Sequence, residues 1–584
     1  MISPRLNNRM ALLLLCYSWL WCGIVFLSLS MTGVFPWVWL AARFADSDGL
    51  SAAYVNLIRT SQWSLSLALL AGGAGMEFLP FATKGVRRKW MGAAPVRLSL
   101  LIALAGLSGA WFVQAVLFDN IPHITDATSH WFQARIFAAG HLSAAPPPCP
   151  NAFFQHNVIM GSGGQWHTKY FPGHALWLVW PLRTLAMPLA FALFLASAHR
   201  IVARFFDRFV AHATTGLLAF SPLMLLLSAS FMSHMTLLMW MAMGWAFLLA
   251  APDSPRMSAG FGAAAAAGFC GGMGVLTRPQ DAILFGVFAL CITLPRLRQL
   301  KSRPAMIASG LLFGAAFPLL FLLFWNWTLY GHVWASGYNF SGAAPASQTP
   351  IIHDTLGFSD GFTGTRALMQ SFWVGLRLNQ ALLGWPAALP LLLPALALPS
   401  VRRKNWILLL GAGWLYLPYF FFHYYGFELE ARYCAAPAPL LVLMIARTLV
   451  ASFRTLPPAG AGRRALAAWI AAFVFYAGAY YWPVYLFPRY SKSYEETSPD
   501  IHRAALTAEL KTPALLLLPA DGFVYSSGFI HNDPELRAPI LYARDLPGER
   551  ACLRKAFPDR RLYRFIPDTV DPFCGTFKPV ESTP

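Results

Sequence analysis

Apolar segments of membrane length recur along this chain and restrict it more than any other feature. A run of about 20 residues nearly free of charge crosses a hydrocarbon layer of about 30 Å. Such runs fall at roughly 10–31, 62–82, 97–118, 174–198, 211–228, 233–251, 259–277, 281–296, 305–327, 379–399, 405–425, 434–451 and 465–486. In lipid every backbone polar group must be bonded internally, which leaves helices as the form for segments of this length. The expected fold is a membrane all-α multi-helix bundle of about 13 transmembrane helices. The mean hydropathy of +0.50 and a charged fraction of 12% in 584 residues agree. The pair meeting around Ser228–Ser233 reads as re-entrant or tightly hairpinned, and the span near 281–296 is short. MISPRLNNRM precedes the first run with no small-residue cleavage site after it, so that run reads as a retained helix.

The formal charge of +19 would suit a nucleic-acid partner if it were spread over a soluble surface. It is not. With the N-terminus cytoplasmic, the inner segments hold Arg87, Arg88, Lys89, Arg200, Arg204, Arg208, Arg296, Arg298, Lys301, Arg303, Arg402, Arg403, Lys404, Arg454, Arg463 and Arg464. Only Asp207 and Asp253 oppose them there. This is the positive-inside bias of an inner (plasma) membrane protein, and its partners are anionic lipid headgroups. From Phe487 onward 13 basic residues meet 13 acidic ones, a balanced soluble segment. An odd number of spans puts that segment on the periplasmic or extracellular side. The chain thus divides into three parts: 1–96 with two leading spans, a core at 97–486 with large outer loops 119–172 and 329–378, and a small α/β domain at 487–584. In the last, ALLLLP, PILYARD and RRLYRFIP read as strands and GERACLRKAF as a helix. The eight cysteines include no CxxC pair, so a structural zinc site is not expected. Cys552 and Cys574 are near enough in the chain to pair outside the cytoplasm. Glu77 is an acid within a span, read as snorkelling to the interface.

The stretch Phe118–Gly173 concentrates the chemistry. It holds Asp119, Asp126, five histidines including His123 and His130, Arg135 and Lys169 between two spans. Thr125 is a fair N-cap, with Asp126 in the first turn where a carboxylate suits the helix dipole. Helical spacing puts Asp126, His130 and Gln133 on one face. Asp126 is either a first-turn carboxylate and nothing more or a general base. At the loop's end, Lys169 and Tyr170 of GGQWHTKYFPG are either interface anchors or a phosphate site. His234, in the Ser228–His234 turn, is costly at membrane depth unless partnered. In GGMGVLTRPQD, Pro279 breaks a helix and leaves Arg278 and Asp281 as an ion pair or as ligands, a guanidinium fork being suited to phosphate. In YYGFELEARY, Glu430, Arg432 and Tyr433 face outward. Glu428–Arg432 is either an i,i+4 bridge or, with Glu430, a sugar- and phosphate-binding set.

The order of these segments resembles the GT-C superfamily of integral-membrane glycosyltransferases, on the bacterial side near the protein O-mannosyltransferases and the lipid A aminoarabinose transferase. The matching elements are an Asp opening a helix followed by FQARIFAAGHL, then KYFPG, LTRP, the Asn326–Trp334 turn and the Arg432–Tyr433 element. The resemblance implies a polyprenyl-phosphate sugar donor and a glycan, lipid or protein acceptor. It carries the catalytic role onto Asp126, with Asp119 as runner-up. Asp119, His123, His130, Gln133, Lys169, Tyr170, His234, Arg278, Asp281, Glu430, Arg432 and Tyr433 are then substrate-binding candidates. Ala127 stands where the family often has a second acid. No metal ligands are therefore assigned and no cofactor is required, although a divalent cation is compatible. Transfer would be a single displacement with inversion. The rival readings are a lipid-linked saccharide transporter, which needs charge along the bundle's depth, and a non-catalytic polysaccharide-assembly partner.

Overall fold

The structure is a computed structural model that describes residues 95–161, 164–179, 183–299, 304–339, 358, 362–422, 428–457, 461–491 and 493–580. The expected spans at 10–31 and 62–82, with Glu77, lie outside these residues. The described chain runs α1 (Pro95–Leu117), α2 (Thr125–Ala138), the hairpin β1 (Val158–Gly161) and β2 (Gln165–Thr168), then α3 (Gly173–Trp177), α4 (Arg183–Phe205), α5 (Arg208–Ala219), α6 (Pro222–Ala229) and α7 (Ser233–Ala250). It continues with α8 (Met257–Thr277), α9 (Pro279–Gln299), α10 (Pro304–Tyr330), α11 (Gly364–Ala381), α12 (Leu392–Ala397), α13 (Arg402–Phe420), α14 (Ala438–Thr455) and α15 (Ala461–Tyr476). A π-helical stretch, Ala477–Leu486, leads into α16 (Phe487–Tyr490). The chain closes with α17 (Asp500–Thr507), β3 (Ala514–Leu518), α18 (Ser526–Phe529), β4 (Ile540–Arg544), α19 (Arg550–Ala556), β5 (Arg561–Pro567) and β6 (Gly575–Pro579). Among the described residues seven helices are long and apolar enough to cross a bilayer, or eight if the bent pair α5–α6 is one span. The protein is a multi-helix membrane bundle with a small C-terminal α/β sheet.

Four expected elements differ, each for a local reason. The span at 174–198 divides into α3 and α4. The span at 211–228 bends by 58° between α5 and α6, where Pro222 has no N–H for the ladder. The span at 379–399 does not form as one helix. Gly384 takes a left-handed φ of 68°, and Pro386, Pro390, Pro394 and Pro399 interrupt the chain beyond it. The helix there is α11, which begins inside the stretch assigned to the outer loop 329–378. The C-terminal sheet has a fourth strand, β6, in the order β4-β3-β5-β6. It is parallel except for β5–β6.

The chain packs as two compact units. Among the described residues, one takes 95–106 with those of Leu195–Leu225 and Leu356–Phe487. In it Asp207 caps α5 by accepting from the N–H groups of Phe209 and Val210 at 2.9 and 3.0 Å, and its two oxygens hold Arg454 at 2.8 and 3.1 Å. Arg447 donates to Asn405, whose amide donates to the Ala395 carbonyl at 2.7 Å.

The other unit takes Leu107–Phe194, Leu226–Thr355 and Pro488–Pro584. Its helix pair α8–α10 meets along small residues. A Cβ on Gly268 or Gly314 would collide with the carbonyl of Leu311 or Ala265, and one on Gly310 would meet Ala264. Contact this close is how helices gain packing energy in lipid, where no hydrophobic effect drives them together. A second core joins Phe132 and Ile136 of α2, Phe153 and Trp166 to the all-buried β3 and to Phe529, Tyr542 and Leu553. The Phe132 and Trp166 rings lie 4.5 Å apart and each meets Phe529. A disulfide ties Cys149 to Cys552, and Cys574 is free and exposed. The pairing of Cys552 with Cys574, which the sequence left open, does not form, and the disulfide instead clamps the loop to α19.

Gly314→Leu is expected to cost about 3 kcal/mol or more through overpacking, read as loss of the monodisperse peak in detergent. Deleting Ser491–Pro584 strips Phe132, Ile136 and Trp166 of their cover. The truncated chain is expected to aggregate, and a monodisperse truncated protein would contradict the shared core.

Candidate active site

Asp126 lies in the first turn of α2. Thr125, the expected cap, is instead the first helical residue, and Ile124 before it supplies no side-chain cap. Asn157 holds the side chains of this first turn from outside the helix. Its Nδ2 donates to Asp126 Oδ1 at 2.8 Å and to Thr125 Oγ1 at 3.1 Å. Asn157 takes a left-handed φ of 65°, a conformation that asparagine tolerates. Its carbonyl accepts from the Lys169 N–H at 3.0 Å. One residue therefore fixes both the carboxylate and the backbone of the lysine.

The Lys169 ammonium lies 5.1 Å from the Tyr170 ring centroid and 5.7 Å from that of Tyr338. Burial lowers its pKa, and the field of Asp126 opposes that shift. A cation held by ring faces and one carboxylate keeps capacity for an incoming anion. Gly337 makes the approach of Tyr338 feasible, since a Cβ there would collide with the Lys169 backbone.

From Tyr170 the cluster continues inward. His130 stacks on Tyr170 at 4.7 Å and meets His174 edge-on at 4.7 Å. His174 donates Nε2–H to the Phe231 carbonyl at 2.8 Å, so its Nδ1 accepts from the Thr236 hydroxyl at 2.9 Å. Its tautomer is fixed by these partners. His130 is buried, and its Nδ1 has no hydrogen-bond partner among the described residues. Burial, with His174 and Arg278 adding to it, holds its pKa well below the usual imidazole range. Arg278 donates Nε to Asp281 at 2.6 Å and Nη1 to Ser233 Oγ at 3.3 Å. A Cβ on Gly173 would touch Leu276 and Thr277, so the end of KYFPG rests directly against the start of LTRP.

The structure thus gathers Asp126, His130, Lys169, Tyr170, Arg278 and Asp281 into one region of this unit, with the buried His234 beside Ser233. The remaining loop candidates have other partners. Gln133 spends its amide on the Leu142 carbonyl at 2.9 Å and the Thr168 N–H at 3.1 Å. Asp119 pairs with Arg503 at 3.6 Å. Both nitrogens of His123 face carbonyls, Tyr494 at 3.0 Å and Phe118 at 3.1 Å. In the other unit, buried Glu430 pairs with Arg377 and Arg432 with Glu428, each at 3.4 Å, and Arg432 Nη2 lies 3.3 Å from the Tyr433 hydroxyl. Asn157, His174, Ser233, Tyr338 and Arg377 were not among the candidates. Ser233 and His174 had a signal, since the first lies in the Ser228–His234 turn and the second directly follows KYFPG.

Among the described residues, the side chains near enough to share an ion are Cys149, Glu549 and Cys552. Two of them are joined as a disulfide, which leaves no thiolate to bind. Beside Asp126 stand an amide and an ammonium, and the ammonium repels a cation.

No family model matches the chain, and no curated protein matches it. Solved structures do. ArnT from Cupriavidus metallidurans bound to undecaprenyl phosphate is similar at 16% identity with a TM-score of 0.45, over 80% of this chain and 93% of that one. The Archaeoglobus fulgidus oligosaccharyltransferase in the apo form is similar at 12% identity and 0.42, over 82% and 74%. The archaeal oligosaccharyltransferase AglB from the same organism, with an inhibitory peptide and a dolichol-phosphate, is similar at 10% and 0.38, over 81% and 69%. The functional reading of this chain rests on the residues of the site.

Burial holds His167 at a pKa of about 4 and His531 at about 3. Both lie below the ordinary 6.5, so the unfolded chain binds more protons and stability falls as pH falls. The contribution is complete above pH 6.5 and is lost between there and about 4 for His167 and about 3 for His531. For His167 it is on the order of 3 kcal/mol. Melting curves between pH 8 and 4 are expected to show this drop, shifted or reduced in His167→Gln.

Proposed function

We propose that the protein is a glycosyltransferase that moves a sugar from a polyprenyl-phosphate donor to an acceptor hydroxyl on the non-cytoplasmic face of the membrane. One observation carries the reading. A carboxylate fixed by Asn157 stands in the field of a lysine ammonium held by two tyrosines, and contacts between side chains lead on to Arg278.

Asp126 removes the acceptor proton as the hydroxyl oxygen attacks the anomeric carbon. The bond from that carbon to the lipid phosphate breaks and its electron pair leaves with the phosphate. Lys169 and Arg278 meet the charge that develops there. A single displacement inverts the anomeric centre. Asp281, bonded to Arg278 Nε, holds the guanidinium in place beside the reacting groups. His130, kept neutral by burial, adds no competing charge. No step of the displacement is routed through a divalent cation. The bundle belongs in the inner membrane, with the N-terminus cytoplasmic and the C-terminal sheet periplasmic or extracellular.

The test is transfer in a strain lacking the gene, complemented with variants and read by mass spectrometry of envelope glycans. Asp126→Asn is expected to lower transfer by a factor on the order of 10² to 10⁴ at unchanged expression. Full transfer by a folded Asp126→Asn protein removes Asp126 from the mechanism. Lys169→Met and Arg278→Gln are expected to lose rate as well, since each removes stabilisation of the leaving group.

A further inference from the structure

Arg183 opens α4, a helix of 23 residues. The start of a helix carries partial positive charge, so a cation there is disfavoured. The Arg183 guanidinium lies 5.5 Å from the ring centroid of Trp131 on α2 and makes no hydrogen bond or ion pair among the described residues. Arg135, also on α2, is near enough that Arg183 opposes its charge. The Arg135 pKa is lowered first by burial and then by Arg183. Arg135 spends Nη1 on the Ile530 carbonyl at 2.9 Å. The described acid whose field bears on it is Asp533, whose oxygens already accept from the Arg537 and Ala538 N–H groups at 2.9 and 2.6 Å. Positive charge therefore gathers here beyond what the described acids balance.

We infer that Arg183, seated on Trp131 beside Arg135, forms a second anion subsite that takes the phosphate or other oxyanion of a lipid headgroup. A guanidinium held by an indole face keeps N–H groups that bind two oxygens at once. Trp131 is braced by Phe231, with centroids 5.1 Å apart at 78°. Arg183 begins a segment of membrane length, so a group bound there sits at the interface, where lipid headgroups are concentrated. The subsite is separate from the reaction centre. Trp131, which carries Arg183, lies five residues beyond Asp126, about 140° around α2 at 100° per residue, and Arg135 nine residues beyond, about 180°. An anion at Arg183 is therefore not the one met by Lys169 and Arg278, and the inference does not depend on the transferase reading.

The test uses the full-length protein in phosphatidylcholine nanodiscs, with phosphatidic acid added to the lipid or inorganic phosphate added to the buffer. Hydrogen–deuterium exchange is read over 125–138 and 183–190. Protection by phosphatidic acid in the wild type, with apparent affinity about tenfold or more weaker in Arg183→Gln and partly kept in Arg183→Lys, supports a lipid ligand. Protection by inorganic phosphate that is lost in Arg183→Gln supports the subsite with a soluble anion as its source. Equal protection in wild type and Arg183→Gln overturns the inference, as does no response of the wild type to either probe. If Arg183→Gln does not fold, Trp131→Leu takes its place in the same comparison.

Discussion

The core shared by α2, the β1–β2 hairpin and the C-terminal sheet is the constraint on which the site depends. A polar loop between two spans cannot bury enough apolar surface to fix its own backbone. Phe132, Ile136, Phe153 and Trp166 are completed by β3, Phe529 and Leu553, some 350 residues or more later in the chain. That packing sets the axis of α2, and with it the direction of Asp126 and His130. The Cys149–Cys552 disulfide and the Arg135–Ile530 hydrogen bond tie the same two segments. The C-terminal sheet is in this sense the other half of the loop's support.

The reactive groups are organised by contacts more than by charge pairing. Asn157 holds Asp126 and the Lys169 backbone together, tyrosine rings seat the ammonium, and Gly173 lets the loop end rest on the last turn of α8. The Lys169 ammonium placed this way still has favourable interactions to offer an arriving phosphate. By contrast Glu430 and Arg377, both buried, are already matched to each other. A pair of that kind is strongly destabilising to break, because the remaining charge stays buried alone.

Much of this was legible in the chain. Long apolar runs gave the helices, since hydrocarbon leaves a backbone few alternatives. Asp126, Lys169, Tyr170 and Arg278 stood out because charged and aromatic residues sit at the ends of apolar segments only for interfacial or functional reasons. The breaks at Ser221 and Gly384 were less visible, because hydropathy averages over prolines that backbone geometry cannot ignore. Asn157 was invisible, since its role comes from a left-handed backbone and from two partners, Asp126 and Thr125, about thirty residues away. The Cys149–Cys552 pair was missed for a similar reason, its sequence separation of 403 being bridged only once the sheet docks on the loop.

The central claim is that Lys169 and Arg278 receive a lipid phosphate while Asp126 handles the acceptor proton. Binding of a short polyprenyl monophosphate to the purified full-length protein and its variants tests this division directly. The account predicts binding about tenfold or more weaker in Lys169→Met and in Arg278→Gln, with Asp126→Asn binding at least as tightly as wild type because a negative charge has been removed. Unchanged binding in both cation variants, or a loss confined to Asp126→Asn, would contradict it.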